Sequence, residues 1–262
     1  MTDFVARGLD AIRARSPLVH NVTNQVAMTF SANVLIAAGA SPIMAMAPEE
    51  TRELAGLAAA LVVNMGTLTS AWIEGAEPAI EGARAAGRPW ILDPVGVGAS
   101  AFRRETAASL LARSPRIVRG NASEILALAG GIGAGKGVDS THGAEAAAEA
   151  ATALATRQRA VVAVTGAVDL VTDGRRTLRV ANGHELLTRT TASGCALTAL
   201  VGAWAAVWDD PLEATAGALV AYGVAAELAA ARAEGPGSFV PALLDALAAL
   251  DGSTARRRAR VT

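Results

Sequence analysis

The sequence predicts an α/β chain built on a mainly parallel sheet with helices on both faces. Three observations carry this. Short apolar runs ending in polar loops alternate with longer segments rich in Ala, Leu and Glu. The runs show no clean apolar–polar alternation, as strands buried on both faces do. A repeated β-α order needs crossover connections, which leave neighbouring strands parallel.

The N-terminal stretch MTDFVARGLDAIRARSPLVH is amphipathic and charged, without the basic start and apolar run of a signal peptide. In SPLVHNVTNQVAM, residues His20, Asn21, Thr23, Asn24 and Gln25 form a polar cluster before the first long helix, expected over 25–39. Asn24 can serve there as N-cap or can line a small-molecule pocket. His20 taken alone reads as structural. ASPIMAM, ALVVNMG, PWILDPVG, PRIVRGN and AVVAVTG read as strands, with helices over 49–58, 70–86, 103–112, 121–130 and 141–156 among them. DLVTDGRRTLRVANG differs, because Asp173-Gly174 is a hairpin turn signal between two short strands. From Gly194 onward the pattern is helical, over 194–207, 211–231 and 236–250. The tail ARRRARVT reads as a solvated basic end. No linker, repeat or low-complexity block divides the chain, so one domain over 1–262 is expected.

Composition narrows the function. A chain of 262 residues that is 52% hydrophobic can bury a full core. A net charge of −1 with 18% charged residues offers no clustered positive surface for nucleic acid. No run reaches about 18 uninterrupted apolar residues, so no membrane span is expected. The single cysteine, Cys195, excludes an internal disulfide and a CxxC metal site and fits a cytoplasmic protein.

In an open parallel sheet, ligands bind beyond the carboxyl ends of the strands. The residues to inspect are therefore Asn64-Met65-Gly66, Asp93-Pro94-Val95-Gly96, Arg119-Gly120-Asn121, Thr165-Gly166 and Gly194-Cys195. Asp93 can be a turn residue or a carboxylate close to Mg²⁺ and phosphate. Asn121 and Glu124 fit a capping box. Glu124, facing Asp93 across the sheet mouth, can instead help hold hydrated Mg²⁺. Thr165-Gly166 offers a hydroxyl and an N–H to phosphate. Gly194 and Cys195 open a helix, so their N–H groups would face a docked anion and the helix dipole would lower the thiol pKa from about 8.5. The bland alternative is a small buried hydrophobe. GGIGAGKGVDS, over 130–140, imitates a P-loop, but Gly137 stands where the metal-binding hydroxyl belongs and no strand directly precedes it. It reads as a surface loop that can still fold over a nucleotide. His142 and His184 show no ligand spacing, so zinc is not expected.

Taken in order, SPLVHNVTNQVAMTFSANVLIAAGASPIMA, ALVVNMGTL, WILDPVGVGAS, RGNASEI, KGVDS, VAVTGAVDLVTDG, TASGCALTAL and GPGSF resemble the hydroxyethylthiazole kinase family of the thiamine pathway, within the ribokinase-like superfamily. The resemblance spans about residues 16–240. It implies a three-layer ribokinase-like α/β fold and a cytoplasmic homotrimer that binds its thiazole between subunits. It also implies ATP-dependent, Mg²⁺-assisted phosphorylation of the primary alcohol of 4-methyl-5-(2-hydroxyethyl)thiazole. By match, Asn24, Met44 and Ala192 would contact the thiazole. Arg119, Thr165 and Asn121 would contact the nucleotide, and Asp93 and Glu124 would serve Mg²⁺. Gly194 would lie in the anion hole and Cys195 would face the substrate hydroxyl, where most sugar kinases of the superfamily have Asp. The family commonly reads Thr-Gly-x-Gly-Cys. This chain has Ala192 in the second place, a residue that resists positive φ. Two other readings stand beside this one: a sibling kinase for hydroxymethylpyrimidine or a sugar, and a non-enzymatic vitamin-binding protein.

Overall fold

A computed structural model describes residues 2–130 and 140–262. The elements run α1 (Asp3–Arg15), β1 (Leu18–Val22), α2 (Met28–Ala38), β2 (Ser41–Ile43), α3 (Pro48–Leu57), β3 (Ala60–Asn64), α4 (Ser70–Ala85), β4 (Trp90–Asp93), α5 (Ala101–Leu111), β5 (Ile117–Asn121), α6 (Ala122–Leu128) and α7 (Ser140–Gln158). They continue through β6 (Val161–Thr165), β7 (Asp169–Thr172), β8 (Thr177–Val180), α8 (Ser193–Ala205), α9 (Pro211–Ala230), α10 (Pro236–Ala249) and α11 (Gly252–Arg258). Among the described residues, eight strands form one sheet in the order β2-β1-β3-β4-β5-β6-β7-β8. Pairing is parallel from β2 to β6 and antiparallel from β6 through β8.

The unbroken apolar runs have a direct cause. In β3, Ala60 and Val62 point into one apolar layer while Leu61 and Val63 point into the other. One layer takes side chains from α1, α2, α8, α9 and α10; the other takes them from α4, α5 and α7. Both strand faces are dry, so period-2 alternation disappears. Helix α9 is long and apolar enough to cross a membrane by length and composition, yet most of it is buried against its neighbours. It serves as a core helix.

Three expectations are corrected. Leu18–Val22, read as part of a polar cluster, is a strand lying between β2 and β3. His20 and Asn21 are fully buried in it, and those polar residues hid its apolar character. Asn24 does not stand at the N-cap of α2, which is Ala27, although Asn24 Oδ1 accepts the Ala27 N–H at 2.9 Å in the turn before the helix. The tail is not a loose solvated end. Val261 bridges Val180, and Arg179 and Thr262 exchange backbone hydrogen bonds at 2.8 and 3.0 Å. The expected hairpin is present, with Gly174 at φ +87° and Asp173 Oδ1 accepting from the N–H groups of Arg175 and Arg176. The glycine-rich segment of the sequence lies, from 131 to 139, outside the described residues.

Candidate active site

The parallel strands end on one rim, and adjacent register puts their terminal polar residues side by side. Asn64 is the lateral partner of Asp93, and Asn121 of Thr165. Helix α8 descends onto the same rim and brings Gly194, Cys195 and Thr198. A continuous chain of contacts results. Asn24 Nδ2 donates to Cys195 Sγ at 3.4 Å and to Asn64 Oδ1 at 2.7 Å. Asn64 Nδ2 donates to Asp93 Oδ2 at 2.7 Å, and Thr198 Oγ1 to the same oxygen at 2.6 Å. Arg119 Nη1 lies 3.9 Å from Asp93 Oδ2, and Arg119 Nη2 donates to Thr165 Oγ1 at 2.6 Å. Gly194 packs directly under the Arg119 guanidinium: a Cβ on it would stand 2.7 Å from Nη1, so Arg119 would have to move.

Asp93 is fully buried, and among the described residues its Oδ1 has no hydrogen-bond partner. Burial raises its pKa to about 6, against the lowering effects of Arg119, Thr198 and Asn64. Glu124 is held at both oxygens: Oε1 accepts from Gly96 N at 3.0 Å and Oε2 from Asn121 N at 2.8 Å. Among the described residues, no group of three or more His, Cys, Asp and Glu side chains gathers as a metal cage. A few carboxylates with waters and phosphate oxygens is the donor set Mg²⁺ takes. The unpartnered Asp93 Oδ1 and the immobilised Glu124 fit that pattern.

Beside Asn24, a cleft of about 230 Å³ is lined by Thr23, Gln25, Met46, Thr67, Thr69 and Trp72. A larger opening of about 950 Å³, between α7, β8 and Thr262, touches none of the rim residues. The smaller cleft is lined by Thr23 and Gln25, which flank Asn24 in sequence, and by none of the rim residues themselves.

The family model for hydroxyethylthiazole kinase matches residues 9–253. The chain belongs to the hydroxyethylthiazole kinase family. A hydroxyethylthiazole kinase of Rhizobium etli is 56% identical over 255 residues, covering 97% of this chain and 99% of that one. One of Cereibacter sphaeroides is 58% identical over 253 residues, covering 97% and 96%. The solved structure of hydroxyethylthiazole kinase from Pyrococcus horikoshii OT3 superposes with a TM-score of 0.91 at 46% identity, covering 99% of this chain and 98% of that one. Staphylococcus aureus pyridoxal kinase, solved with AMP-PCP and pyridoxal, gives a TM-score of 0.61 at 17% identity, over 80% and 87% of the two chains. That likeness shows the fold alone, which is ribokinase-like.

In this hydroxyethylthiazole kinase family member several residues do something other than the sequence led one to expect. The Cys195 thiol is pushed up, not down: burial dominates and the Asp93 carboxylate adds to it, outweighing Asn64, Asn24 and Arg119. Helix-start polarity is a surface-strength effect and loses to desolvation in this half-buried place. The Gly166 N–H is not available to phosphate in the present arrangement, because Asp169 Oδ1 accepts it at 2.9 Å. Asn121 and Glu124, by contrast, form the capping box that their spacing led one to expect at the start of α6. Asn121 Oδ1 also accepts from Ser123 Oγ at 2.7 Å. Ala192 is the N-cap of α8 and does adopt positive φ, +66°, despite its Cβ. Met44 follows β2 by one residue and stands outside the hydrogen-bond network. Its loop is fixed by buried His20, whose Nε2 lies 2.9 Å from Ala45 O, so His20 is structural as expected.

Asn64, Thr198, Asp169 and Arg103 are site or support residues that the sequence did not single out for a role. Asn64 had a signal, since a polar side chain closes an otherwise apolar run. Thr198 had none, because its partner Asp93 is 105 positions away.

Proposed function

We propose that this chain transfers the γ-phosphoryl group of ATP to the primary alcohol of 4-methyl-5-(2-hydroxyethyl)thiazole, as a step in thiamine formation or salvage. The observation that carries this reading is the unbroken contact chain from Cys195 through Asn24, Asn64 and Asp93 to Arg119, at the start of α8, in a chain of this family. We place the whole of 1–262 in one domain, acting in the cytoplasm as a homotrimer with its active sites between subunits.

Phosphoryl transfer passes through a loose transition state, so positioning and charge neutralisation supply most of the rate. Asn24, with Met44 and Ala192, orients the thiazole alcohol. Arg119 and the first-turn N–H groups of α8 at Gly194 and Cys195 face the triphosphate, since such groups have no acceptor within their own helix. Thr165 steadies the Arg119 guanidinium, and Asn121 sits at the nucleotide rim. Asp93 and Glu124 would hold Mg²⁺, which when bound neutralises charge on the phosphate oxygens. The alcohol oxygen forms the new P–O bond as the bond from the γ-phosphorus to the β–γ bridging oxygen breaks, releasing ADP. The alcohol proton passes to Cys195 Sγ late. Burial keeps most of that thiol protonated near neutral pH, so it is a weak base and its share of the rate is small.

Coupled ADP release with hydroxyethyl-methylthiazole, with and without Mg²⁺, tests this. Release that needs both the alcohol and Mg²⁺ is expected. Release with hydroxymethylpyrimidine or a sugar but not the thiazole would assign the chain to a sibling kinase. Binding of the thiazole with no ADP release would leave a binding protein.

A further inference from the structure

Arg103 stands in the first turn of α5, where no expectation placed a functional residue. Its guanidinium donates to three backbone carbonyls on two different loops. Nη1 reaches Met65 O and Val95 O, both at 2.8 Å, and Nη2 reaches Gly66 O at 2.5 Å. The ladder between β3 and β4 continues as far as Met65 N to Asp93 O at 3.2 Å. Beyond that point Arg103 bridges the two chains as they leave the sheet. Gly96 takes φ +67° close under the same guanidinium, where an added Cβ would stand 3.5 Å from Nη1.

Each bridged loop holds one half of the site. On the β3 side, Asn64 Oδ1 accepts from Gly66 N at 3.0 Å and from Asn24, which in turn reaches Cys195. On the β4 side, Asp93 begins the loop and Gly96 N anchors Glu124. Carbonyls only accept, and three of them at fixed spacing match the rigid multi-donor fork of arginine, which lysine cannot reproduce. Building on the kinase reading above, we propose that Arg103 is a positioning residue for phosphoryl transfer, locking the loop that orients the alcohol side to the loop that begins at Asp93 and anchors Glu124 through the Gly96 N–H.

The test uses Arg103→Ala and Arg103→Lys in the full chain, with four readouts: melting temperature, kcat, the Mg²⁺ concentration for half-activation, and the rate at which iodoacetamide labels Cys195. Labelling is clean because the chain has one cysteine. For Arg103→Ala we expect a folded protein whose kcat falls by about 10–100-fold, in line with the cost of misplacing reacting groups by about 1 Å. Its Mg²⁺ requirement should rise and Cys195 should label severalfold faster, as Asn24 and Asn64 lose their fixed register. Methylguanidinium should restore part of the activity, and Arg103→Lys should fall between the two. A lowered melting temperature with kcat, Mg²⁺ requirement and labelling all at parental values would overturn the proposal and leave Arg103 a stability residue. If Arg103→Ala does not fold, Arg103→Lys with the same readouts decides. Parental protein without thiazole-dependent ADP release would fail the kinase reading instead, and the labelling comparison would still decide for Arg103.

Discussion

Asp93 has one carboxylate oxygen bonded twice and the other, among the described residues, to nothing. Its ordinary pKa of 3.8 is raised to about 6. Between those values the folded chain keeps a proton that the unfolded chain has lost, so stability falls as pH climbs through this window and the cost is complete above it. Asp93→Asn removes that cost. It should melt higher than the parent at pH 8, with the difference closing toward pH 4, while kcat drops at least about 100-fold through loss of charge at the phosphate end. Thermal melts across pH check the first half; a variant no more stable than the parent at pH 8 would contradict it. Turnover of the parent should rise as Asp93 ionises near pH 6. Cys195 tests the base. Cys195→Ala should lower kcat by no more than about 10-fold, below the usual range of general-base effects, because the thiol is a weak base. Cys195→Asp should retain or raise turnover, because a carboxylate is more fully ionised than this thiol at neutral pH. An inactive, folded Cys195→Asp would remove the proton-acceptor role.

At the scale of elements, α8 matters most, because it delivers Gly194, Cys195 and Thr198 to the rim. Its closeness to the sheet depends on Gly202, where a Cβ would stand 2.6 Å from Val62 Cγ2 and 3.1 Å from Val19 Cγ1. Gly202→Val should force the helix outward, costing about 1–3 kcal/mol in a chemical denaturation curve. It should also lower kcat, although residue 202 is two helical turns from the chemistry. Unchanged kcat alongside lowered stability would mean that the rim tolerates the shift. This helix was legible, expected at 194–207 and found at Ser193–Ala205, because its apolar run follows a small-residue turn. Strand β1 was not legible. Its third and fourth positions are His20 and Asn21, and only burial between β2 and β3 makes a strand of them.

For the whole molecule, the exposed problem is the outer edge of β8. The tail covers it through Val261 and Thr262, and Asn182 secures the approach by accepting the Arg260 N–H at 2.7 Å and donating to Glu227 at 3.0 Å. Arg260 also pairs with Glu227 at 2.6 Å. Removing residues 259–262 should lower the melting temperature by a few degrees. It should also promote concentration-dependent association, since an uncovered edge strand invites pairing. Light scattering at increasing concentration reads this, and a truncated chain that behaves as the parent would assign the tail no such duty.

The local order of the chain settled the alternation of strands and helices, the strand-end location of the rim and most of its members, because apolar periodicity and glycine placement act over a few residues. The partners of those members were settled only by the folded arrangement. The capping box of Asn121 and Glu124 is local, but the link from Glu124 to Gly96, the bond from Thr198 to Asp93 and the direction in which the Cys195 thiol moves each depend on groups far away in sequence, and no neighbourhood of residues contains them.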